Sequence, residues 1–236
     1  NISKCHVLHL GNKNAKNQYF INGQIIDAAQ SVTDLGIEVD FALKYDLHIN
    51  SIVSKAYSRI GVLFKGFASR NIQILKQAYT TFIRLILEYA SNVWSPHLLK
   101  HINAIERVQK HFTKRIKSLA HLTYPERLAA LNIEPLELRR LKADLILYYK
   151  CFHDMVALPF NDYFQVSQHI SQTRYGGNRL IVPLCSTNRF NNEFFNRCVN
   201  CWNSLPDDIV NANSINRFKF LLCNFDLSHF LNCNYF

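Results

Sequence analysis

Residues 100–119 of the chain read KHINAIERVQKHFTKRIKSL. Apolar residues recur in this stretch at steps of three, four and seven, which is the pattern of one side of an α-helix. At ~100° per residue, five cations fall within roughly a third of the circumference on the opposite side. Those cations are Lys100, Arg107, Lys110, Lys114 and Lys117. The spacing predicts an amphipathic helix over residues 98–119, with a basic stripe ~25 Å long.

This basic stripe has two interpretations. It can follow phosphates along a nucleic-acid groove, or it can be the ordinary solvated face of an amphipathic helix. Glu106 is the only acid in the stretch, so self-repulsion among the cations is tolerated. Lys55 and Arg59 stand four apart on a second predicted helix, with Lys44 and His48 before them. They extend the stripe if both helices present their bases to one side, and are otherwise plain surface bases.

The positive charge of the chain is concentrated around the stripe. The 236 residues include 27 Lys and Arg and 17 Asp and Glu, for a net charge of +10. Residues 44–121 hold thirteen of the bases and three of the acids, so this block accounts for the whole excess. A basic surface of that size attracts phosphate whatever the base sequence. A biased genome is an alternative source of many lysines, but it does not explain their concentration in one third of the chain.

Helical periodicity continues on both sides of the stripe. Apolar steps of three and four predict one helix over residues 43–66 and another from Ser69, a possible N-cap, to residue 92. Thr123-Tyr124-Pro125-Glu126 has capping-box spacing, and Pro135 opens a further long helix. Two shorter helices are predicted near residues 191–204 and 214–223.

The first forty residues have strand-like patterns instead. Asn22-Gly23 stands between two short apolar runs, which is a strong hairpin signal. Leu35-Gly36-Ile37 reads as a buried strand with a close backbone approach at Gly36. The predicted fold class is therefore mainly α with a small N-terminal β portion (α+β). Its predicted segments are 1–42 (β strands), 43–157 (helical domain), 158–190 (linker or irregular loop, with Pro159, Gly176, Gly177 and Pro183) and 191–236 (C-terminal helical region).

Composition narrows the class of protein. No apolar run approaches the ~20 residues needed to span a bilayer, and the N-terminus lacks the features of a signal peptide. Seven cysteines, an odd number in mostly apolar surroundings, do not suggest a disulfide framework, so we expect a reducing compartment. Because the first residue is Asn1 and the only methionine is Met155, we expect a chain cut from a longer one.

Few residues are candidates for catalysis or metal binding. Cys198-x-x-Cys201 and His229-x-x-x-Cys233 have zinc-ligand spacing, but the first pair lies on a predicted apolar helix face, so buried structural cysteines are favoured. Glu38 and Asp40 share a strand face and Asp207-Asp208 stands at a predicted turn or helix start; solvated or capping roles are favoured for both pairs. The sequence has no phosphate-cradling glycine loop, nucleophile elbow or clustered carboxylates. It therefore predicts no catalytic residue and no metal site.

Several strings together resemble the reverse transcriptase of LINE-type (non-LTR) retrotransposons, in the jockey-like branch. The most specific is Ile86-Leu87-Glu88-Tyr89-Ala90-Ser91 with Val93-Trp94-Ser95-Pro96, joined by Ile105-Glu106-x-Val108-Gln109-Lys110-x-Phe112-Thr113-Lys114-Arg115-Ile116. The others are Asn1-x-x-Lys4-Cys5, Leu8-His9-Leu10-Gly11, Asp34-Leu35-Gly36-Ile37, Leu43-Lys44, His48-Ile49, Tyr124-x-Glu126-Arg127-Leu128, Leu136-Glu137-x-Arg139-Arg140-Leu141, Asp144-Leu145-Ile146, Phe195-x-Arg197, Trp202-Asn203-x-Leu205-Pro206 and Phe218-Lys219. The resemblance covers essentially the whole chain.

The resemblance implies a C-terminal portion of an RNA-directed DNA polymerase: residues 1–42 as the end of the palm, then a helical thumb and a following region. Members of the family copy the element's RNA into DNA from a nicked target, and the thumb holds the RNA template and DNA primer duplex. The residues implied in nucleic-acid binding are Lys100, Arg107, Lys110, Lys114, Lys117, Lys55 and Arg59. Their contacts would be to the backbone rather than to base edges.

The same resemblance implies what this chain lacks. The family's metal-binding aspartates lie in an Ala-Asp-Asp hairpin and an earlier palm strand that match nothing here, so we expect the chain alone to be inactive. The full polymerase would use Mg²⁺ and would need the fingers, the rest of the palm and an endonuclease domain as partners. An intracellular location is implied, in cytoplasm and nucleus as a ribonucleoprotein. A non-catalytic nucleic-acid-binding remnant and a helical protein-interaction domain remain as alternatives.

Overall fold

The computed structural model describes residues 2–66, 71–166, 179–184 and 187–235. Short strands come first: β1 (Val7–Leu8), β2 (Phe20–Ile21), β3 (Gln24–Ile25), β4 (Ala28–Ala29), β5 (Ser31–Asp34) and β6 (Ile37–Asp40). Helices follow: α1 (Asp46–Gly66), α2 (Ile72–Phe82), α3 (Arg84–Glu88), α4 (Ser91–Trp94), α5 (Leu99–Lys114), α6 (Tyr124–Leu131), α7 (Leu136–Phe152), α8 (Phe160–Tyr163), α9 (Asn188–Asn191), α10 (Phe194–Arg197), α11 (Val199–Ser204), α12 (Asp207–Val210) and α13 (Ile215–Asn224). The predicted fold class, mainly α with a small N-terminal β portion, is confirmed.

The chain forms two units that alternate along the sequence. The first contains Asn1–Ala90 and Lys100–Ala120, and the second contains Ser91–Leu99 and His121–Phe236. The helical segment predicted over residues 43–157 therefore contributes to both. Within the described ranges, no helix has the length and apolar content needed to cross a bilayer.

The strands of the first unit pair two by two. β2 and β3 form the predicted antiparallel hairpin, with Phe20 opposite Ile25. Its turn places Asn22 at φ 51° and Gly23 at φ 78°, and two positive values are the requirement of a tight turn that suits an Asn-Gly pair. β1 and β4 pair in parallel through Val7 and Ala28.

The prediction for Leu35-Gly36-Ile37 was wrong. β5 and β6 form a second antiparallel hairpin, and Leu35 and Gly36 are its turn, at φ 45° and 84°. Leu35 is 82% exposed instead of buried. The apolar character of Leu35 suggested a strand, but the left-handed backbone that Gly36 allows favoured a chain reversal. Only Ile37 of the three residues is buried, at the start of β6.

A polar joint connects the second hairpin to α1. Asp40 accepts hydrogen bonds from the backbone N–H groups of Ala42, Lys44 and Tyr45, at 2.8, 3.0 and 2.9 Å. This carboxylate therefore organises the turn into the helix, which agrees with the capping role favoured for it. Nearby, Nδ1 of the buried His48 lies 3.3 Å from the backbone N–H of Glu38, which donates to it.

The helix predicted over residues 69–92 is interrupted. α2 begins at Ile72, capped by Asn71, whose side-chain oxygen accepts from the N–H groups of Gln73 (2.8 Å) and Ile74 (3.3 Å). The predicted N-cap Ser69 lies outside the described residues. Breaks at Ile83 (φ −115°) and Ala90 (φ 50°) separate α2, α3 and α4.

The second unit is built around α7. The predicted capping box is present before α6: Glu126 Oε2 accepts from the backbone N–H of Thr123 at 2.7 Å. Pro135 stands at the N-cap of α7, as predicted. The core contains Tyr148 and Tyr149 of α7, together with aromatic and aliphatic residues of the C-terminal helices: Trp202, Leu205, Ile209, Val210, Phe218 and Leu222.

The described part of the predicted linker belongs to this second unit. Within residues 158–190, α8 forms a single turn, and Val166 pairs with Leu180 in an isolated bridge. Phe164 and Leu180 are buried in the core of the unit. Gly176 and Gly177, which supported the loop prediction, lie outside the described residues.

Candidate nucleic-acid interface

α5 is fixed in the first unit by its apolar side. Ile102, Ile105, Val108 and Phe112 are completely buried. The ring of Phe112 stacks on Tyr79 of α2, with the ring centroids 4.4 Å apart. Burial of this continuous row fixes the rotation of the helix about its axis, and hence the side that solvent reaches.

A buried polar network lies on the same side of α5. The hydroxyl of Tyr79 donates to Oε1 of Gln109 at 2.7 Å, and the amide of Gln109 donates to Oε1 of Glu106 at 3.4 Å. Glu106 is 1% exposed. The sequence alone placed Glu106 as an interruption of the basic stripe, whereas the structure directs its side chain into the interior. The exposed side of α5 therefore has no acid of its own.

The predicted cations of α5 lie together on its exposed side. Arg107 and Lys114 are exposed and Lys110 is partly exposed. At ~100° per residue these three side chains fall within about 60° around the axis. Among the described residues, Arg107 and Lys114 form no ion pair with an acid.

The two ends of the stripe differ from the prediction. At the first end, Nζ of Lys100 is exposed but lies 3.5 Å from Oδ2 of Asp46, at the start of α1. At the other end, the α-helix stops at Lys114 instead of residue 119, and Ile116 is extended. Lys117 is exposed in the following 3-10 turn, Lys117–Leu119, so the helical spacing does not align it with the others.

Asp46 joins the first turns of α1 and α5. Its Oδ1 lies 2.7 Å from Nε2 of the buried His101. Burial tends to raise the pKa of Asp46, but the hydrogen bond from His101 and the charges of His101 and Lys100 outweigh it, so the pKa lies below its ordinary value. The carboxylate of Asp46 thus partly neutralises the charge of Lys100. An exposed ion pair of this kind contributes little to stability.

Lys55 and Arg59 do not extend the stripe. Both are exposed on α1. The ring of Tyr57, between them in sequence, lies against His111 of α5, with ring centroids 5.3 Å apart. At ~100° per residue, Lys55 and Arg59 each lie about 160° around α1 from Tyr57. They therefore face away from α5. His48, considered with them, is buried.

Two basic side chains beside the stripe were missing from the sequence prediction. His111 of α5 and Arg115, which directly follows α5, are both exposed. His111 contacts Tyr57, and the guanidinium carbon of Arg115 lies 4.4 Å from the centroid of the Phe64 ring. Burial and the charge of Arg115 lower the pKa of His111. The sequence signal was weak, because the pairing joins residues about fifty apart.

The cysteine pair of the second unit, Cys198 and Cys201, lies in the interior of the protein. Cys198 and Cys201 are buried, as the favoured interpretation predicted. Sγ of Cys198 lies 3.7 Å from Oδ2 of Asp144. Burial raises the pKa of Cys198 well above its ordinary value and that of Cys201 to about 12. Desolvation of this kind favours the protonated, uncharged form of both thiols.

A buried ion pair lies beside Cys198. Arg197 donates to both carboxylate oxygens of Asp144, at 2.8 and 2.9 Å, and to the backbone oxygen of Asn92 at 2.8 Å. The Asn92 side chain also donates to Asp144. These hydrogen bonds join α4, α7 and α10 within the second unit. Within residues 2–66, 71–166, 179–184 and 187–235, no three His, Cys, Asp or Glu side chains are grouped so that they can hold a metal ion.

Comparisons with known proteins give one match. No family model and no solved structure matches the chain. An uncharacterized protein of Caenorhabditis elegans is 25% identical over 121 residues, covering 50% of this chain and 61% of that protein. The chain thus spans about three-fifths of the length of the curated relative it matches. The name of that relative states no activity.

Proposed function

We propose that this chain is part of an RNA-directed DNA polymerase of a LINE-type mobile element, and that α5 holds the backbone of the template–primer duplex. The observation that carries the proposal is the row of Arg107 and Lys114, which are exposed, and Lys110, which is partly exposed, on a helix whose other side is completely buried. With Lys100 the row covers ~21 Å at 1.5 Å rise per residue. Cations arranged along such a line can contact successive phosphates without reading bases.

The salt dependence of binding tests this role. We expect affinity for an RNA–DNA duplex, measured by fluorescence anisotropy over a series of KCl concentrations, to fall steeply with salt. Replacing Lys110 and Lys114 together by glutamine removes about two phosphate contacts. The slope of log affinity against log salt should then flatten by about two units, with weakening on the order of tenfold at 0.1 M salt.

Lys55→Gln with Arg59→Gln is the matched control, because it removes the same charge from a surface that faces away from α5. This control should leave the slope nearly unchanged. Equal flattening by both double variants would mean that only net charge matters, and the interface on α5 would be wrong. Competition by polyglutamate as strong as that by duplex of equal charge would favour an acidic protein as the ligand.

The catalytic part of the proposal concerns residues that this chain does not supply. We expect the chain with Mg²⁺ and a primed RNA template to add no nucleotides, because it has no match to the family's metal-binding aspartates. An open reading frame upstream that encodes the Ala-Asp-Asp hairpin would support a polymerase fragment. A stop codon or an unrelated exon there would support a non-catalytic remnant.

A further inference from the structure

Two aromatic rings of α1 lie against two basic side chains, His111 of α5 and Arg115, which directly follows α5. Phe64 lies beneath the guanidinium of Arg115, at 4.4 Å, and Tyr57 meets the ring of His111 edge to face, at an interplanar angle of 69°. Phe64 and Tyr57 are half-buried, whereas Arg115 and His111 are exposed. The two aromatic rings thus lie between α1 and the end of α5, where they contact His111 and Arg115.

The contact with Phe64 restricts Arg115. A guanidinium over an aromatic face is attracted by the ring, within the ~6 Å range of cation–π contacts. The ring is itself held, since it packs on Phe112 with centroids 5.6 Å apart. Arg115 remains exposed in this contact, so a ligand can reach its guanidinium. The planar N–H donors of an arginine suit a phosphate, which accepts two parallel hydrogen bonds.

We infer that Arg115, positioned by Phe64, is a phosphodiester-binding residue that completes the α5 surface on the side of α1. The inference rests on the proposed function, because it assumes a nucleic-acid backbone as the ligand of α5. Arg115 is the contact residue and Phe64 is a positioning residue that acts through it. Lysine at position 115 would keep the charge but lose the planar set of N–H donors.

A simpler account of Arg115 uses charge alone. Arg115 directly follows the last residue of α5, and its backbone N–H donates to the oxygens of His111 and Phe112. Positive charge near a helix C-terminus is favourable. This account requires a positive charge at position 115 but does not require the planar guanidinium group. It predicts that Arg115→Lys is neutral and that binding does not depend on the Phe64 ring.

A double-mutant cycle, measured as affinity for the duplex, distinguishes the two accounts. We expect Arg115→Lys to weaken RNA–DNA duplex binding about two- to fivefold, because lysine lacks the planar donor group. Phe64→Leu should weaken binding to a similar extent, because it removes the ring that positions Arg115. The double variant should bind no worse than either single variant. The salt slope should stay that of the wild type in Arg115→Lys, because the number of charges is unchanged.

Arg59→Lys is the control for the arginine-to-lysine change on another exposed surface, and it should bind like the wild type. Thermal unfolding of Phe64→Leu verifies that the first unit still folds. If Phe64→Leu fails to fold, Arg115→Lys still tests the inference, because position 115 is exposed. Unchanged affinity in Arg115→Lys, or additive losses in the cycle, would overturn the inference. If the wild type binds duplex without salt dependence, the proposed function fails instead.

Discussion

The buried position of Glu106 determines which charges α5 exposes to solvent. It is the only acid between Lys100 and Leu119, and in sequence it divides the cations into two groups. In the structure its carboxylate accepts from Gln109 in the interior. The charges exposed along α5 are therefore of one sign. This result depends on the rotation of the helix, which its completely buried apolar row determines.

At the same scale, His111 should make duplex binding depend on pH. Its pKa is lowered by burial and by the charge of Arg115, with Tyr57 as its neighbour from α1. A phosphate placed beside the ring would favour the imidazolium, so the bound state would take up a proton. We expect affinity to rise as pH falls from 8 to 6, by up to about tenfold for each unit by which binding raises this pKa.

His111→Gln is expected to remove this pH dependence in anisotropy titrations. Persistence of the full dependence in the variant would assign the proton to another group. Thermal unfolding should be followed over the same pH range, because changes in folding would otherwise be mistaken for changes in binding.

At the scale of elements, the joint between β6 and α1 requires a neutral histidine. Nδ1 of His48 accepts a hydrogen bond from the backbone N–H of Glu38, which is possible only while that nitrogen carries no proton. Burial lowers the pKa of His48, the charge of Lys55 lowers it further, and the charge of Glu38 opposes them. The ordinary pKa of 6.5 applies to the unfolded chain.

The free energy of unfolding should therefore fall as pH drops below about 6.5. Between this value and the lower folded pKa, the unfolded chain binds the proton that the folded chain excludes, which costs at most about 1.4 kcal/mol per pH unit. His48→Asn keeps an acceptor but does not titrate. Urea unfolding followed by circular dichroism from pH 8 to 5 should show a shallower loss in this variant than in the wild type. An equal loss in wild type and His48→Asn would contradict the assignment.

Elements with local signals were predicted well from the sequence. The Asn22-Gly23 hairpin, the Thr123–Glu126 capping box and the start of α7 at Pro135 all depend on residues within a few positions of each other. The Leu35-Gly36 turn was missed because an apolar residue occupies an exposed turn position there. Its side chain gave a stronger strand signal than the glycine gave for a turn.

At the scale of the whole molecule, sequence order and spatial order differ. Residues Ser91–Leu99 belong to the second unit although α3 and most of α5, on either side of them, belong to the first. Asn92 and Arg197, 105 positions apart, hydrogen-bond within that second unit. Such long-range pairs leave no periodic signal, so contiguous segments were the only organisation that the sequence could predict. The same limit concealed the contact between Phe64 and Arg115.

The buried ion pair should be necessary for stability of the second unit. Asp144→Asn leaves the guanidinium of Arg197 largely buried without its counter-charge, which should cost about 3–5 kcal/mol of unfolding free energy. Both tryptophans, Trp94 and Trp202, belong to this unit and are buried. Tryptophan fluorescence during guanidinium unfolding therefore reports on it directly. Adding Arg197→Met to Asp144→Asn should recover part of the loss, and a loss below about 1 kcal/mol in the single variant would contradict this role.

The inward position of Glu106 has one more consequence, for motion. With Glu106 turned inward, no acid of α5 itself repels the phosphates of a polyanion that moves along the row, and an advance by one repeat restores the same electrostatic energy. Such a row of cations would hold a polyanion against the helix and would leave movement of the polyanion along the row nearly unhindered. For the template–primer duplex that we propose as the ligand, an advance by one nucleotide would then not require release of the contacts with α5.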